Sequence, residues 1–186
     1  MNTIINFTSY LFLISELVLL ILKRSKSGEV KIKKDKSSLL ILWMTILISL
    51  FAGIYISVIY PGGGRMLILL LTGIVIFFIG AVIRWTAIFQ LRKEFTVDVS
   101  ISKNHKIKDD GLYRYIRHPS YLGLLLEFLG FSLLYDNWYS LLIINIPIFV
   151  AMVYRIKIEE ELLTGAFGIE YENYKRRTKR IIPGIL

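Results

Sequence analysis

Residues 121–154 read YLGLLLEFLGFSLLYDNWYSLLIINIPIFVAMVY. This block decides the fold. It is too long for a single membrane crossing, which takes roughly 20 apolar residues, and it is broken by YDN at Asp136 and Asn137. Two short helices joined by a tight turn satisfy both facts. Three more apolar runs lie upstream, at Ile4–Leu22, Leu39–Tyr60 and Met66–Gln90. None has the period-two alternation of a barrel strand, and only helices or closed barrels satisfy the backbone in lipid. The sequence therefore predicts an all-α integral membrane protein with about five transmembrane helices. The chain has 186 residues, 55% of them hydrophobic, which is too apolar for an ordinary soluble domain and suits one domain in length.

The formal net charge is +9. Cations cluster in KRSKSGEVKIKKDK after the first apolar run, in the Leu91–Pro119 connection and in the tail after Tyr154. With five spans all three clusters lie on one side, and loops rich in Lys and Arg stay cytoplasmic. The expected topology has the N-terminus outside and the C-terminus inside, in the plasma membrane of a prokaryote. The charge then reads as topology plus attraction to anionic lipid, not as a nucleic-acid surface. The first run lacks a basic start and a small-residue cleavage site, so it reads as a retained helix. There is no cysteine, which excludes disulfides, thiolate nucleophiles and Cys-bound metal. With two histidines and no His-x-x-x-His, no metal site is expected.

The chain divides unevenly. Residues 1–65 form a helical hairpin with a basic cytosolic loop and carry almost no candidate chemistry beyond Glu16, an intramembrane acid. Residues 66–186 carry the rest. Arg84 and Trp85 look like an interfacial anchor, and TVDVSI like an extended loop packed under the membrane, since one short strand cannot form a sheet alone. Pro119 fits the first turn of a helix. Beyond Tyr154, Arg155 and Glu159 are four apart and share a helical face, whereas Glu160 and Glu161 point elsewhere. GAFG ends that helix, and IEYENYKRRTKR starts another that suits the membrane interface.

Three motifs follow one another in the second part: HKIKDDGLY, then RHPSYLG, then RIKIEEELLTGAFGIEYENYKRRTKRIIP. In this order, around a two-helix block, residues 90–183 resemble the isoprenylcysteine carboxyl methyltransferase family, in its prokaryotic-type, integral-membrane form. The resemblance implies a methyltransferase that binds S-adenosylmethionine in a cytosolic C-terminal region, releases S-adenosylhomocysteine, and methylates the carboxylate of a lipid-borne, isoprenylcysteine-like acceptor. Carried over by motif, the cofactor residues are His105, Lys106, Ile107, Lys108, Tyr113, His118, Pro119, Ser120, Tyr121 and Glu159. Arg155 takes the catalytic position that handles the substrate carboxylate. Glu127 lines the substrate cavity or pairs with a neighbour. The implied partners are the bilayer and a lipid-modified or lipophilic small substrate, with neither nucleic acid nor metal. The sequence departs from the family at Asp98, where eukaryotic members have a neutral amide, and at Lys106 and Lys108, which replace less charged residues.

The chemistry supports this reading on its own terms. A carboxylate is already ionised near neutral pH, so its methylation needs no general base. Cation and anion cancel as the methyl moves, so a dry, aligned site favours the reaction. Such a site wants a cation for the carboxylate, and an arginine can hold one bidentately. It also wants an anion near the sulfonium and aromatic or backbone groups around the adenine. Local alternatives stay open. Arg155 and Glu159 can be an ordinary ion pair, Arg117 can position its loop or meet lipid phosphate, and Tyr171 and Tyr174 can be packing and interfacial anchors. Phospholipid N-methyltransferases and small-thiol S-methyltransferases share related motifs but need a base. A sterol-reductase-like protein needs a nicotinamide site, and no Gly-rich phosphate loop is present. A non-catalytic membrane protein would spread its polar residues along the spans, whereas here they crowd at one end.

Overall fold

The computed structural model describes residues 7, 8, 10–12, 14–16, 18, 19, 30–35, 37–62, 66–91, 99–102 and 107–182. Described residues between 7 and 19 are helical and are called α1. Strand β1 (Val30–Asp35), helices α2 (Ser37–Ile59) and α3 (Met66–Leu91), and strand β2 (Val99–Ser102) follow. A 3₁₀ turn at Gly111–Arg114 leads to α4 (Pro119–Leu133), α5 (Trp138–Phe167) and α6 (Ile169–Arg177). Helices α2, α3 and α5 are long and apolar enough to cross a membrane, and α4 is a shorter apolar helix. Phe51 and Val58 of α2, Ile68 and Val82 of α3, and Val150 of α5 are exposed, as lipid-facing residues are.

The block that opened the sequence divides as expected. Asn137 caps α5 by accepting a hydrogen bond from Ser140 N–H at 2.9 Å, which satisfies a donor that the helix start leaves open. Its amide also donates to the carbonyl of Tyr60, which ties the turn to the end of α2. Hydrophobic packing then places α5 between α2 and α4. Leu42 and Ile46, Leu124 and Phe128, and Ile144, Ile148, Met152 and Ile156 form one buried cluster.

Helices α3 and α4 run antiparallel and touch backbone to backbone. A methyl group on Gly73 would lie 2.7 Å from the Gly130 carbonyl, and one on Gly80 would lie 2.6 Å from the Gly123 carbonyl. Two glycines seven residues apart on each helix thus make a seam that no larger residue fits, the small-residue packing that membrane helices favour. The two-stranded ribbon was not anticipated. TVDVSI was read as a loop for want of a partner, and the partner is β1, from the basic segment after α1; Val30 pairs with Ser102 and Asp35 with Val99.

Candidate active site

The site is assembled where α3 ends, α4 begins and α5 runs past the apolar block. Gln90, near the end of α3, accepts a hydrogen bond from Leu112 N–H at 2.9 Å. Gly111 sits against the same amide with φ of 57°, a conformation and a closeness that glycine alone tolerates readily. This pins the 3₁₀ turn and drives Tyr113 inward, where it is 5% exposed. Burial, followed by the nearby Glu159 charge, pushes the Tyr113 hydroxyl well above an ordinary phenol, so it stays protonated. Tyr174 of α6 is buried too, and its hydroxyl donates to the Tyr113 carbonyl at 2.7 Å.

The loop from Tyr115 to His118 is locked by the chain's tail. Arg117 N–H donates to the Lys179 carbonyl at 2.8 Å, Lys179 N–H to Tyr115 at 3.0 Å, and His118 N–H to Arg180 at 3.1 Å. Beneath this ladder lies Glu160, whose side chain is 6% exposed. Arg117 Nε donates to its Oε1 at 2.8 Å, Arg180 Nη2 donates to its Oε2 at 2.7 Å, and His118 Nε2 lies 3.2 Å from Oε1. Arg117 also donates to the carbonyls of Lys175 and Thr178. Arg117 is therefore an internal staple, the first of its two sequence readings. Glu160 points elsewhere than the face of Arg155 and Glu159, as expected, and that direction leads into the fold. Tyr171 and Tyr174 are 2% and 3% exposed, so they are packing residues, not interfacial ones.

A second constellation sits beside the first. Arg155 is 3% exposed. Its Nε donates to the Tyr121 hydroxyl at 2.9 Å, and that hydroxyl donates to Glu159 Oε2 at 2.9 Å. The i,i+4 residues of α5 are thus joined through a tyrosine of α4. Arg155 Nη1 donates to Ser38 Oγ at 2.9 Å. The Glu159 side chain keeps 28% of its surface, and its Oε1 lies 3.9 Å from His118 Nδ1.

The structure brings Tyr113, His118, Tyr121, Arg155 and Glu159 together. Pro119 is buried at the first position of α4, and Ser120 is half-buried beside it. Ile107 is half-buried, and Lys108 pairs with Asp110 at 2.6 Å within its own loop. His105 and Lys106, like Asp98, lie outside the described residues. Glu127 sits elsewhere. It pairs at 2.9 Å with Arg84, which also meets Glu16 of α1 at 2.6 Å. Arg84 is 7% exposed, so it is the centre of an interhelical triad and not a snorkelling anchor. Glu127 and Tyr121 are six residues apart on α4, about 9 Å along the axis and a third of a turn around it.

Comparison with known proteins fits this arrangement. The sequence profile of the isoprenylcysteine carboxyl methyltransferase family matches residues 71–165, from α3 to the charged end of α5. The chain belongs to the isoprenylcysteine carboxyl methyltransferase family. It is 34% identical over 107 residues to the protein-S-isoprenylcysteine O-methyltransferase of Schizosaccharomyces pombe, covering 56% of this chain and 45% of that protein. It is 29% identical over 142 residues to protein-S-isoprenylcysteine O-methyltransferase B of Arabidopsis thaliana, covering 75% and 72%. The solved structure of a eukaryotic intramembrane Ras methyltransferase of this family superposes with a TM-score of 0.62 at 26% identity, over 81% of this chain and 54% of that one. The chain thus spans about half the length of the Schizosaccharomyces pombe relative and of the solved protein.

Sequence reasoning missed two residues of this constellation. Glu160 carried a signal, an acid among Arg117, His118 and Arg180, but only the tail's return made it visible. Ser38 carried none, because one serine at the mouth of a hydrophobic run reads as a helix start.

Proposed function

We propose that the protein transfers a methyl group from S-adenosylmethionine to the carboxylate of a lipid-borne, isoprenylcysteine-like acceptor. The observation that carries this reading is the relay from Ser38 and Arg155 through Tyr121 to Glu159. It holds a cation and an anion one helical turn apart, linked through a neutral hydroxyl. In this reading the cation meets the acceptor carboxylate and the anion meets the cofactor.

The donor set suits the cofactor. Glu159 is part-exposed and accepts a hydrogen bond from Tyr121, so it can face a sulfonium or a ribose. Tyr113 and Tyr121 offer aromatic surface, and the backbone around His118–Tyr121, with Ile107 and Lys108 and the preceding His105 and Lys106, completes the proposed set. S-adenosylmethionine, when bound, supplies an electrophilic methyl group on a sulfonium and departs as a neutral thioether. Arg155 seats the acceptor carboxylate through a planar guanidinium that matches its geometry. The buried tyrosines exclude water, which strengthens both electrostatic contacts.

An amine or thiol acceptor would need a base. Glu127 is engaged by Arg84, and Glu159 accepts from Tyr121, so the site favours an acceptor that is already ionised. Residues 66–186 form the catalytic core in this reading. Five spans put the N-terminus outside, and the site at the cytoplasmic face of a prokaryotic plasma membrane, where a soluble cofactor meets a lipid. Glu127 can still border the acceptor's apolar path.

Calorimetry on the detergent-purified protein tests the cofactor, with S-adenosylhomocysteine expected to bind and NADPH not. Labelled methyl transfer to N-acetyl-S-farnesylcysteine tests the acceptor. A folded protein that binds no S-adenosylhomocysteine would end the proposal.

A further inference from the structure

We propose that Arg114, Arg176 and Lys179 dock an anionic phospholipid headgroup, and that lipid held there ties the chain's tail to the loop before α4 and so tightens the cofactor site. The docking stands alone, while its effect on the cofactor rests on the proposed reading of His118–Tyr121.

The cations of this region divide by what they touch. Arg117 and Arg180 engage Glu160 at 2.8 and 2.7 Å. Lys175 pairs with Glu172 at 3.0 Å, and Arg177 with Asp109 at 2.7 Å. Arg114, Arg176 and Lys179 are exposed, and no ion pair joins them to an acid among the described residues. They are also neighbours. Lys179 N–H donates to the carbonyl of Tyr115, the residue after Arg114, at 3.0 Å. Arg176 lies in the last turn of α6, and the end of that helix is bound to the same loop, where Arg117 Nη1 donates to the Lys175 carbonyl at 3.1 Å. Like charges gathered in this way raise the local potential and attract an anion.

The setting selects a lipid. Tyr115 stands 65% exposed beside Arg114, and the loop passes straight into α4, an apolar helix that begins at Pro119. Tyrosine flanked by cations at the mouth of an apolar helix is what the headgroup level of a bilayer favours, and each Lys or Arg there gains from anionic lipid.

Arg114 belongs to the loop, and Arg176 and Lys179 belong to the tail. The backbone ladder between loop and tail, from Tyr115–Lys179 to His118–Arg180, is the one that sets His118. Without an anion the cations repel one another across that ladder. A phosphate between them turns repulsion into attraction, so lipid favours the closed ladder. A cofactor that binds the same closed form then binds more tightly.

The test places the full chain in nanodiscs of phosphatidylcholine alone, or of phosphatidylcholine and phosphatidylglycerol in equal parts. S-adenosylhomocysteine carries no net charge, so the surface potential alone does not concentrate it. Its affinity should be about fivefold higher in the mixed discs, and the gain should shrink at high salt. Hydrogen exchange at the Arg117, His118 and Lys179 amides should slow in the same discs. The combined variant Arg114→Gln, Arg176→Gln, Lys179→Gln should lose both effects. A second variant, Lys23→Gln, Arg24→Gln, Lys26→Gln, removes the same charge elsewhere and should keep them. Equal exchange in the two discs would overturn the docking, and equal affinity would overturn the coupling. Effects that survive in the first variant, or vanish equally in the second, would overturn both, since they mark bulk charge. Inorganic phosphate giving the same gain in phosphatidylcholine discs would assign the site to a soluble anion instead. A wild type that binds no S-adenosylhomocysteine in either disc would end the cofactor reading, and hydrogen exchange would then decide the docking alone.

Discussion

Two adjacent carboxylates on α5 live in opposite circumstances. Glu160 is closed off, with two guanidinium groups and the His118 ring around it. Glu159 is part-exposed, accepts from the Tyr121 hydroxyl and lies 3.9 Å from His118 Nδ1. A carboxylate saturated by cations is spent on structure. One held by a neutral donor is oriented yet still able to meet a charged ligand. Among the cations, Arg84 is divided between two glutamates, while Arg155 donates to the hydroxyls of Tyr121 and Ser38. On the proposed function, the polar residues of this membrane protein sort into those that fasten the fold and those that meet reactants.

The sharpest way to break this comparison is Glu160→Gln. Removing one charge strands the cations around it, and breaking a buried pair costs about 3–5 kcal/mol. We expect a markedly lower unfolding temperature in detergent and loss of S-adenosylhomocysteine binding, because the Tyr115–His118 loop loses its clamp. Faster tryptic cleavage of the tail should accompany this. A wild-type melting curve would show that Glu160 does not fasten the loop. Next comes Arg155→Lys. A point charge replaces a fork, so turnover of a carboxylate acceptor should fall about 100-fold while S-adenosylhomocysteine affinity holds within about threefold. Equal losses in both would move Arg155 from the reactive group to the fasteners.

The sequence made some of this legible. Long apolar runs and a YDN break are one-dimensional signals, and α2 to α5 lie where they were expected. The motifs mark Arg155, Glu159, Tyr113 and His118, which the fold brings together, and helical period puts the first two on one face. Ser38, β1 and the Arg84–Glu16 contact were not legible. Each depends on a partner far away in the chain, and burial that comes from another helix leaves no local periodicity. The role of Glu160 was not legible for a related reason. Helical spacing tells which residues share a face with Arg155, but not that the tail returns to bury the other face.

A smaller effect is expected from Tyr121→Phe. The ring remains and the hydroxyl bridge is lost, so Arg155 and Glu159, four apart, are free to pair directly. Turnover should drop roughly tenfold, and cofactor affinity a few fold, in line with the loss of hydrogen bonds to charged groups. If cofactor affinity and turnover both stayed at wild-type levels, the hydroxyl bridge would not be what keeps the two charges ready.

The smallest expected effect probes the edge of the reactive group. Lys108 was assigned to the cofactor by motif, yet its ammonium lies 2.6 Å from Asp110, with side chains 31% and 71% exposed. An exposed ion pair contributes about 0–1 kcal/mol and is screened by salt. Lys108→Ala should therefore leave the melting temperature unchanged and S-adenosylhomocysteine affinity within about twofold, if this segment serves the cofactor through its backbone. A tenfold loss of affinity that deepens at low ionic strength would show instead that the ammonium leaves Asp110 to meet the ligand. Lys108 would then join Glu159 and Arg155 as a charge kept ready, and the reactive group would extend into the loop before Tyr113.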